Sequence, residues 1–199
     1  MVETSQPSFF GKPWLANLIV ILLFLLGLGI RMVDLTDLPL DFNPTRQLFS
    51  AIKARGMYYQ YASDVPEWKR QMAIEQWDAK ANVEPPVIPV IVSGMYLVFG
   101  EHLWFGRVIA SISWLLGGLA LFGLARRIAS VDGAIVALAY YLFIEFGVIA
   151  SRSFQPDPLM VGLILAGLWS FVHWHADRTC RSAISDILPV ATVISFRIF

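Results

Sequence analysis

The run WLANLIVILLFLLGLGI, residues 14–30, contains one polar side chain, Asn17. With Arg31–Val33 added it reaches 20 residues, roughly one bilayer crossing. Lys12 precedes it. Arg31, Met32, Val33 and Asp34 follow it, not the small residues of a cleavage site, so it reads as an uncleaved signal anchor over residues 14–33. Composition agrees with a membrane protein. Hydrophobic residues make up 57% of the chain, mean hydropathy is +0.62, and charged residues make up only 15%, against about 25% in soluble domains. The formal net charge of zero leaves no basic footprint for nucleic acid. A single cysteine, Cys180, rules out an internal disulfide.

Beyond the anchor lies a polar stretch from Asp34 to Pro86. It holds Asp34, Asp37, Asp41, Asp64, Glu67, Glu75, Asp78 and Glu84, eight of the 15 acids in the chain, and six basic residues. A connection that long and that charged is expected to do work. Two helices are expected inside it. The first starts at Asn43-Pro44, Asn as cap and Pro in the first turn, and stops at Gly56, with Leu48, Phe49 and Ile52 on one side. The second starts at Asp64, with Glu67 at capping-box spacing. Both are too polar to span and are expected along the membrane surface, beside the aromatic patch Tyr58, Tyr59 and Tyr61.

Val87–Phe99 is apolar but only 13 residues long. It is too short for an ordinary crossing and is placed as a re-entrant or interfacial helix, which closes an outer loop over residues 34–102. Leu103–Ala125, Ala134–Ala150 and Leu159–Trp174 are read as three spans within residues 103–175. With Val87–Phe99 kept from crossing, Lys12, Arg126-Arg127 and Arg178/Arg181 all fall on one side, as the positive-inside rule asks. Residues 1–13 are then a cytoplasmic N-terminus, and 176–199 an inner loop with an apolar run, Ile187–Phe199, that breaks off. The expected architecture is all-α: a polytopic membrane protein with about four transmembrane helices, a truncated fifth and a helical outer loop.

On this topology Asp41 and Asp157 share the outer face, each near a helix start. A helix N-terminus keeps a carboxylate ionised, and an ionised carboxylate in a partly dry cleft can take a proton from a hydroxyl. For Asp157, before Pro158, helix capping is the competing explanation; Asp41 sits two residues before its helix cap, so capping explains it less well. Arg46, Lys53, Arg55, Arg107 and Arg152 are candidate anion binders, Arg152 as a two-pronged grip on a lipid phosphate and Arg107 as a residue that snorkels out of its span. Glu145, inside the Ala134–Ala150 run, calls for a partner or access to the interface. No Walker loop, G-x-G-x-x-G or G-x-S-x-G is present.

Taken in order, Leu-Pro-x-Asp41, Thr45-Arg46-Gln47, Ala54-Arg55-Gly56, Glu84-Pro85-Pro86, Phe99-Gly100-Glu101 with Arg107, Arg126-Arg127 and Ser151–Pro158 form a pattern. It resembles the N-terminal part of the polytopic C-type glycosyltransferases, closest to the protein O-mannosyltransferase-like family 39, over residues 14–174. The resemblance implies a polyprenyl-phosphate-linked sugar as donor, with a glycan, lipid or protein acceptor. It implies transfer on the outer face of the cell membrane. It makes Asp41 the catalytic acid of the first loop and Asp157 its second acid, with Arg46, Arg55, Glu84, Arg107 and Arg152 as substrate-binding candidates. Many members carry Asp-Glu in the first loop; here Phe42 replaces the Glu. Some members bind a divalent metal, for which Glu84 is the one contributor suggested and no clear ligand set is visible. The family's enzymes have further spans, so this chain alone is expected to be inactive. A transporter- or flippase-like module is the rival reading, disfavoured because few ionisable residues lie inside the spans; an inactive truncated product is the other.

Overall fold

The computed structural model describes residues 12–63, 65–79 and 84–177, which are helical with no strand among them. The helices are α1 (Pro13–Met32), α2 (Pro44–Tyr61), α3 (Glu67–Asp78), α4 (Val87–Phe99), α5 (Trp104–Ile128), α6 (Val131–Phe143), α7 (Glu145–Ser151) and α8 (Asp157–Asp177). Of these, α1, α5 and α8 are long and apolar enough to cross a membrane, and α6 with α7 forms a fourth candidate as a bent pair. The protein is a multi-pass membrane protein. Arg178, Arg181, the run Ile187–Phe199 and the proposed helix start at Asp64 lie outside the described residues.

At the centre stands α5. Within its most apolar window 39% is buried, against 11% for α1 and for α8. α5 and α8 run parallel and in register. Gly106 lies under Phe154, Gly117 against Gly162, and Gly123 against Trp169; Arg127 meets His173 at the far end. The approach at Gly162 is close enough that a Cβ there would sit 2.8 Å from the Ser113 carbonyl oxygen. Small residues are what allow two membrane helices to pack backbone to backbone. Because the two helices are parallel, the start of α5 and the start of α8 lie at the same end of the bundle. The end of α1 joins them there, since Arg31 reaches Ser151.

The expected single span Ala134–Ala150 is broken. α6 ends at Phe143, Ile144 is extended (φ −58°, ψ 127°), and α7 departs at 59°. The break puts Glu145 in the first turn of α7, exposed, where a carboxylate is favoured by the helix dipole. The Leu142 carbonyl in the last turn of α6 is taken by the Arg31 guanidinium.

Inside the polar stretch, α2 runs through Gly56 to Tyr61 and does not stop at the glycine. Gly56 is needed for its lack of a side chain: a Cβ would lie 2.6 Å from that of Trp77 on α3. The buried face of α2 carries Gln47, Ser50, Ala51, Lys53 and Ala54, while Leu48 and Phe49 are exposed. Asn43 occupies the N-cap position with φ +46° and makes no side-chain cap bond. α3 begins at Glu67; Pro66 biases Val65 away from helical geometry. Both ends of α4 are tied to α2, since Glu84 just before it bonds Arg46 and Glu101 just after it bonds Arg55. One apolar cluster joins these parts: Ala51 and Ala54 of α2, Ile88, Val92 and Tyr96 of α4, Phe105 of α5, and Phe154.

Replacing Gly162 with Leu is expected to force α5 and α8 apart and to cost about 1–3 kcal/mol, read as a lower melting temperature in detergent. Gly29→Leu on α1, where nothing lies within 4 Å of an added Cβ, is the control and is expected to leave melting unchanged.

Candidate functional site

Three carboxylates and four cations meet where α2, α5 and α8 begin. Asp41 lies in the loop between α1 and α2. Its Oδ1 accepts from Gln47 Nε2 at 3.1 Å and Arg107 Nη2 at 3.0 Å; its Oδ2 lies 3.8 Å from Arg152 Nε. Burial works against the charge on Asp41, but the Gln47 hydrogen bond and the Arg107 and Arg152 guanidinium groups outweigh it and hold its carboxyl below the usual carboxylate range.

Arg46 is the second hub. Nη1 donates to Asp157 Oδ2 at 2.8 Å, and Nη2 to Asp157 Oδ1 at 3.3 Å and Glu84 Oε1 at 2.6 Å. Partial burial acts to lower its basicity, but the two carboxylates outweigh that and raise it. Both Asp157 oxygens are thus turned to Arg46, and the carbonyl that receives the first helical N–H of α8, from Met160, is that of Pro156. Asp157 is the first helical residue and not the cap. Lys53, 7% exposed, reaches the Glu84 carbonyl at 3.4 Å.

Arg107 does not snorkel. It is 2% exposed and spends Nη1 on the Asp34 carbonyl and Nη2 on the Leu38 carbonyl and Asp41. Arg152 bonds the carbonyls of Val33 and Asp34. Two guanidinium groups therefore hold the chain just after α1, where Asp34 sits at φ +50°, a left-handed conformation that costs a non-glycine residue free energy.

Of the residues singled out in the sequence, Asp41, Asp157, Arg46, Glu84, Arg107 and Arg152 are brought together. Arg55 is not. It pairs with Glu101 at 2.9 Å and lies over the Tyr59 ring, nine residues along α2 from Arg46, or roughly 13 Å. A surface depression lined by Tyr58, Tyr61, Ser63 and Leu97 also belongs to that far end of α2 and touches none of the clustered charges.

Two residues that the sequence reading gave no role join the halves of the site. Gln47, fully buried, donates to Asp41 and to the Phe42 carbonyl and accepts from the Phe154 N–H at 2.9 Å. Gln155, also fully buried, donates to the same Phe42 carbonyl at 3.1 Å. Only their places beside Arg46 and before Asp157 marked them, and neighbours in sequence say nothing about burial.

Chemically, the cluster offers half-exposed carboxylates beside cations in excess by one, since Arg46, Lys53, Arg107 and Arg152 stand against Asp41, Glu84 and Asp157. That suits a ligand carrying one negative group. The residues do not fit a divalent metal. Among the described residues no three His, Cys, Asp or Glu side chains are grouped so as to hold a metal ion, and Glu84 and Asp157 are both engaged by the Arg46 guanidinium.

Lowering the pH should show the Asp41 contribution. Its folded carboxyl ionises below the unfolded value of about 3.9, so the stability it adds is complete above that pH and is lost as pH falls through the folded value. Melting of the protein is expected to fall on acidification below about pH 4, and Asp41→Asn to blunt that fall. An identical acid response in the variant would contradict the assignment.

A family model described as dolichyl-phosphate-mannose-protein mannosyltransferase matches residues 83–192 of this 199-residue chain. No curated protein and no solved structure matches it.

Proposed function

Because the chain belongs to the dolichyl-phosphate-mannose-protein mannosyltransferase family, a family of membrane glycosyltransferases, we propose that the charged cluster is its transfer site. The donor is a polyprenyl-phosphate-linked sugar, and the acceptor is a hydroxyl presented on the extracytoplasmic face. The acceptor oxygen attacks the anomeric carbon, the bond from that carbon to the phosphate oxygen breaks, and the polyprenyl phosphate leaves with the electron pair. Asp41 takes the acceptor proton.

The observation that carries this reading is the asymmetry of Asp41. One oxygen accepts hydrogen bonds from Gln47 and Arg107, while the other has Arg152 at 3.8 Å, beyond hydrogen-bond length, on a half-exposed carboxylate. A base needs an anchored carboxylate with one oxygen to spare. Asp157 has none to spare while Arg46 holds both its oxygens. Arg46, Lys53 and Arg152 supply positive charge where the phosphate charge develops, the electrostatic contribution that matters most in such transfers. Glu84 and Asp157 orient Arg46. The low basicity of Asp41 suits a step in which the sugar departs early and the proton moves late.

The topology belongs to this reading. The starts of α5 and α8 share an end with the end of α1, and that end carries the site; Lys12, Arg126, Arg127 and His173 lie at the other. By the positive-inside rule the site end faces outward. α4, too short to cross and held to α2 at both ends, lies on the site side.

In the native, full-length context, Asp41→Asn is expected to lower sugar transfer by about 10²–10⁴ at unchanged membrane insertion, measured in membranes supplied with a mixed pool of polyprenyl-phosphate sugars. Asp157→Asn is expected to cost about tenfold, because Asn keeps the shape of the side chain but, lacking its charge, loosens Arg46. Wild-type transfer by Asp41→Asn would remove the mechanism.

Cysteines placed at the exposed Thr36 and Ser63 in a Cys180→Ser background are expected to react with an impermeant thiol reagent in intact cells, and one at Ser130 is not. The reverse pattern would overturn the orientation.

A further inference from the structure

Arg31 is fully buried at the end of α1, yet among the described residues no carboxylate pairs with it. Its three nitrogens meet neutral oxygens: Nη1 the Gly27 carbonyl at 2.8 Å, Nη2 the Leu142 carbonyl at 3.0 Å, and Nε the Ser151 hydroxyl at 2.6 Å. Ser151 in turn donates to the Val148 carbonyl. The Leu142 and Ser151 acceptors lie in the last turns of α6 and α7, and Gly27 one turn back along α1 from Arg31, which is itself in the last turn of α1. Three helix C-termini, each with its negative dipole end, converge on one cation. That is how a guanidinium is kept charged there without an acid.

The neighbours of that convergence matter for chemistry. Ser151 precedes Arg152, which lies beside Asp41 and bonds the carbonyls of Val33 and Asp34. Val33 and Asp34 follow Arg31 by two and three residues. Arg31 therefore grips both backbone segments that carry the Asp41–Arg152 pair, one through its own helix and one through the end of α7. It also fixes the bend at Ile144 by occupying the Leu142 carbonyl that the bend leaves available.

We propose that Arg31 is a positioning residue: a clamp at the α6–α7 break that sets Arg152 against Asp41 without touching substrate. This rests on the reading of Asp41 and Arg152 as the donor-phosphate site. A purely structural Arg31 would support the whole bundle evenly; a positioning one acts on two segments.

Hydrogen exchange of the full chain in nanodiscs distinguishes them. Arg31→Met is expected to speed exchange by about tenfold in peptides covering 33–42 and 151–156, leaving the middle of α5 and of α8 unchanged. Arg31→Lys, which keeps the charge but cannot fill three acceptors, should fall between. Ser151→Ala keeps Arg31 and should loosen the same two segments by a smaller factor, which serves if Arg31→Met fails to insert. Unchanged exchange in those segments, or an equal rise everywhere, overturns the proposal. Farnesyl phosphate binding, with farnesol as control, is measured alongside. Binding by the wild type weakened about tenfold in Arg31→Lys supports the clamp's effect on the site, and equal binding in the two opposes it. Failure of the wild type to bind farnesyl phosphate would count against the transfer site itself, while the exchange pattern would still decide whether Arg31 clamps.

Discussion

A guanidinium at 2% exposure needs oxygen partners to offset its lost hydration, and the placement of Arg107, whose two Nη groups find three of them, follows from that constraint. It stands near the start of α5, the most enclosed helix. Its donors draw in the carbonyls of Asp34 and Leu38 and the carboxylate of Asp41. The loop after α1 is thereby wrapped onto α5. Arg152 repeats the arrangement from the end of α7, so two buried or nearly buried cations fix one short stretch of chain. The position of Asp41 is a consequence of satisfying them. The charge on Asp41 is in turn stabilised by them, which is why neither member of the pair is expected to be stable without the other.

α2 distributes charge between the two halves of the site. Arg46 and Gln47 are consecutive and point to different partners. Arg46 binds the start of α8 and the residue before α4, while Gln47 binds the Asp41 loop and the backbone at Phe154. The parallel register of α5 and α8 makes this possible, because it returns the chain at Ser151–Asp157 to the end where α5 began. Glycine contacts along that pair set how closely the two starts approach. Packing in the apolar half of the molecule thus determines geometry in the polar half.

Much of this was legible in the sequence, for physical reasons. Long apolar runs with few charges marked α1, α5 and α8 to within a few residues, and Val87–Phe99 coincides with α4. The acids and arginines of the site stood out because charge beside a membrane segment is costly and therefore informative. The failures share a cause, tertiary contact that local pattern does not encode. Gly56 reads as a stop until Trp77 is placed against it. Ile144 lies in an apolar run interrupted by its neighbour Glu145, and nothing local shows that Arg31, more than a hundred residues earlier, will take the Leu142 carbonyl. Asp157 reads as a cap until Arg46 takes both its oxygens. Gln47 falls in the expected helix and Gln155 in a loop, neither with a role from sequence, although burial between two segments is what gives them one. Arg55 looks like a site residue because it carries the same charge as Arg46, but its place farther along α2 delivers it to Glu101 instead.

The central claim is that Asp41 and Arg107 act as one unit that presents a carboxylate beside a phosphate site. The most direct measurement is a double-mutant cycle on farnesyl phosphate binding with Arg107→Met, Asp41→Asn and the pair, each checked for insertion and melting. The account predicts strong coupling: once Arg107 is removed, removing the Asp41 charge causes little further change, because the loop is already released. Losses that simply add would show that the two residues act independently, and would contradict the account.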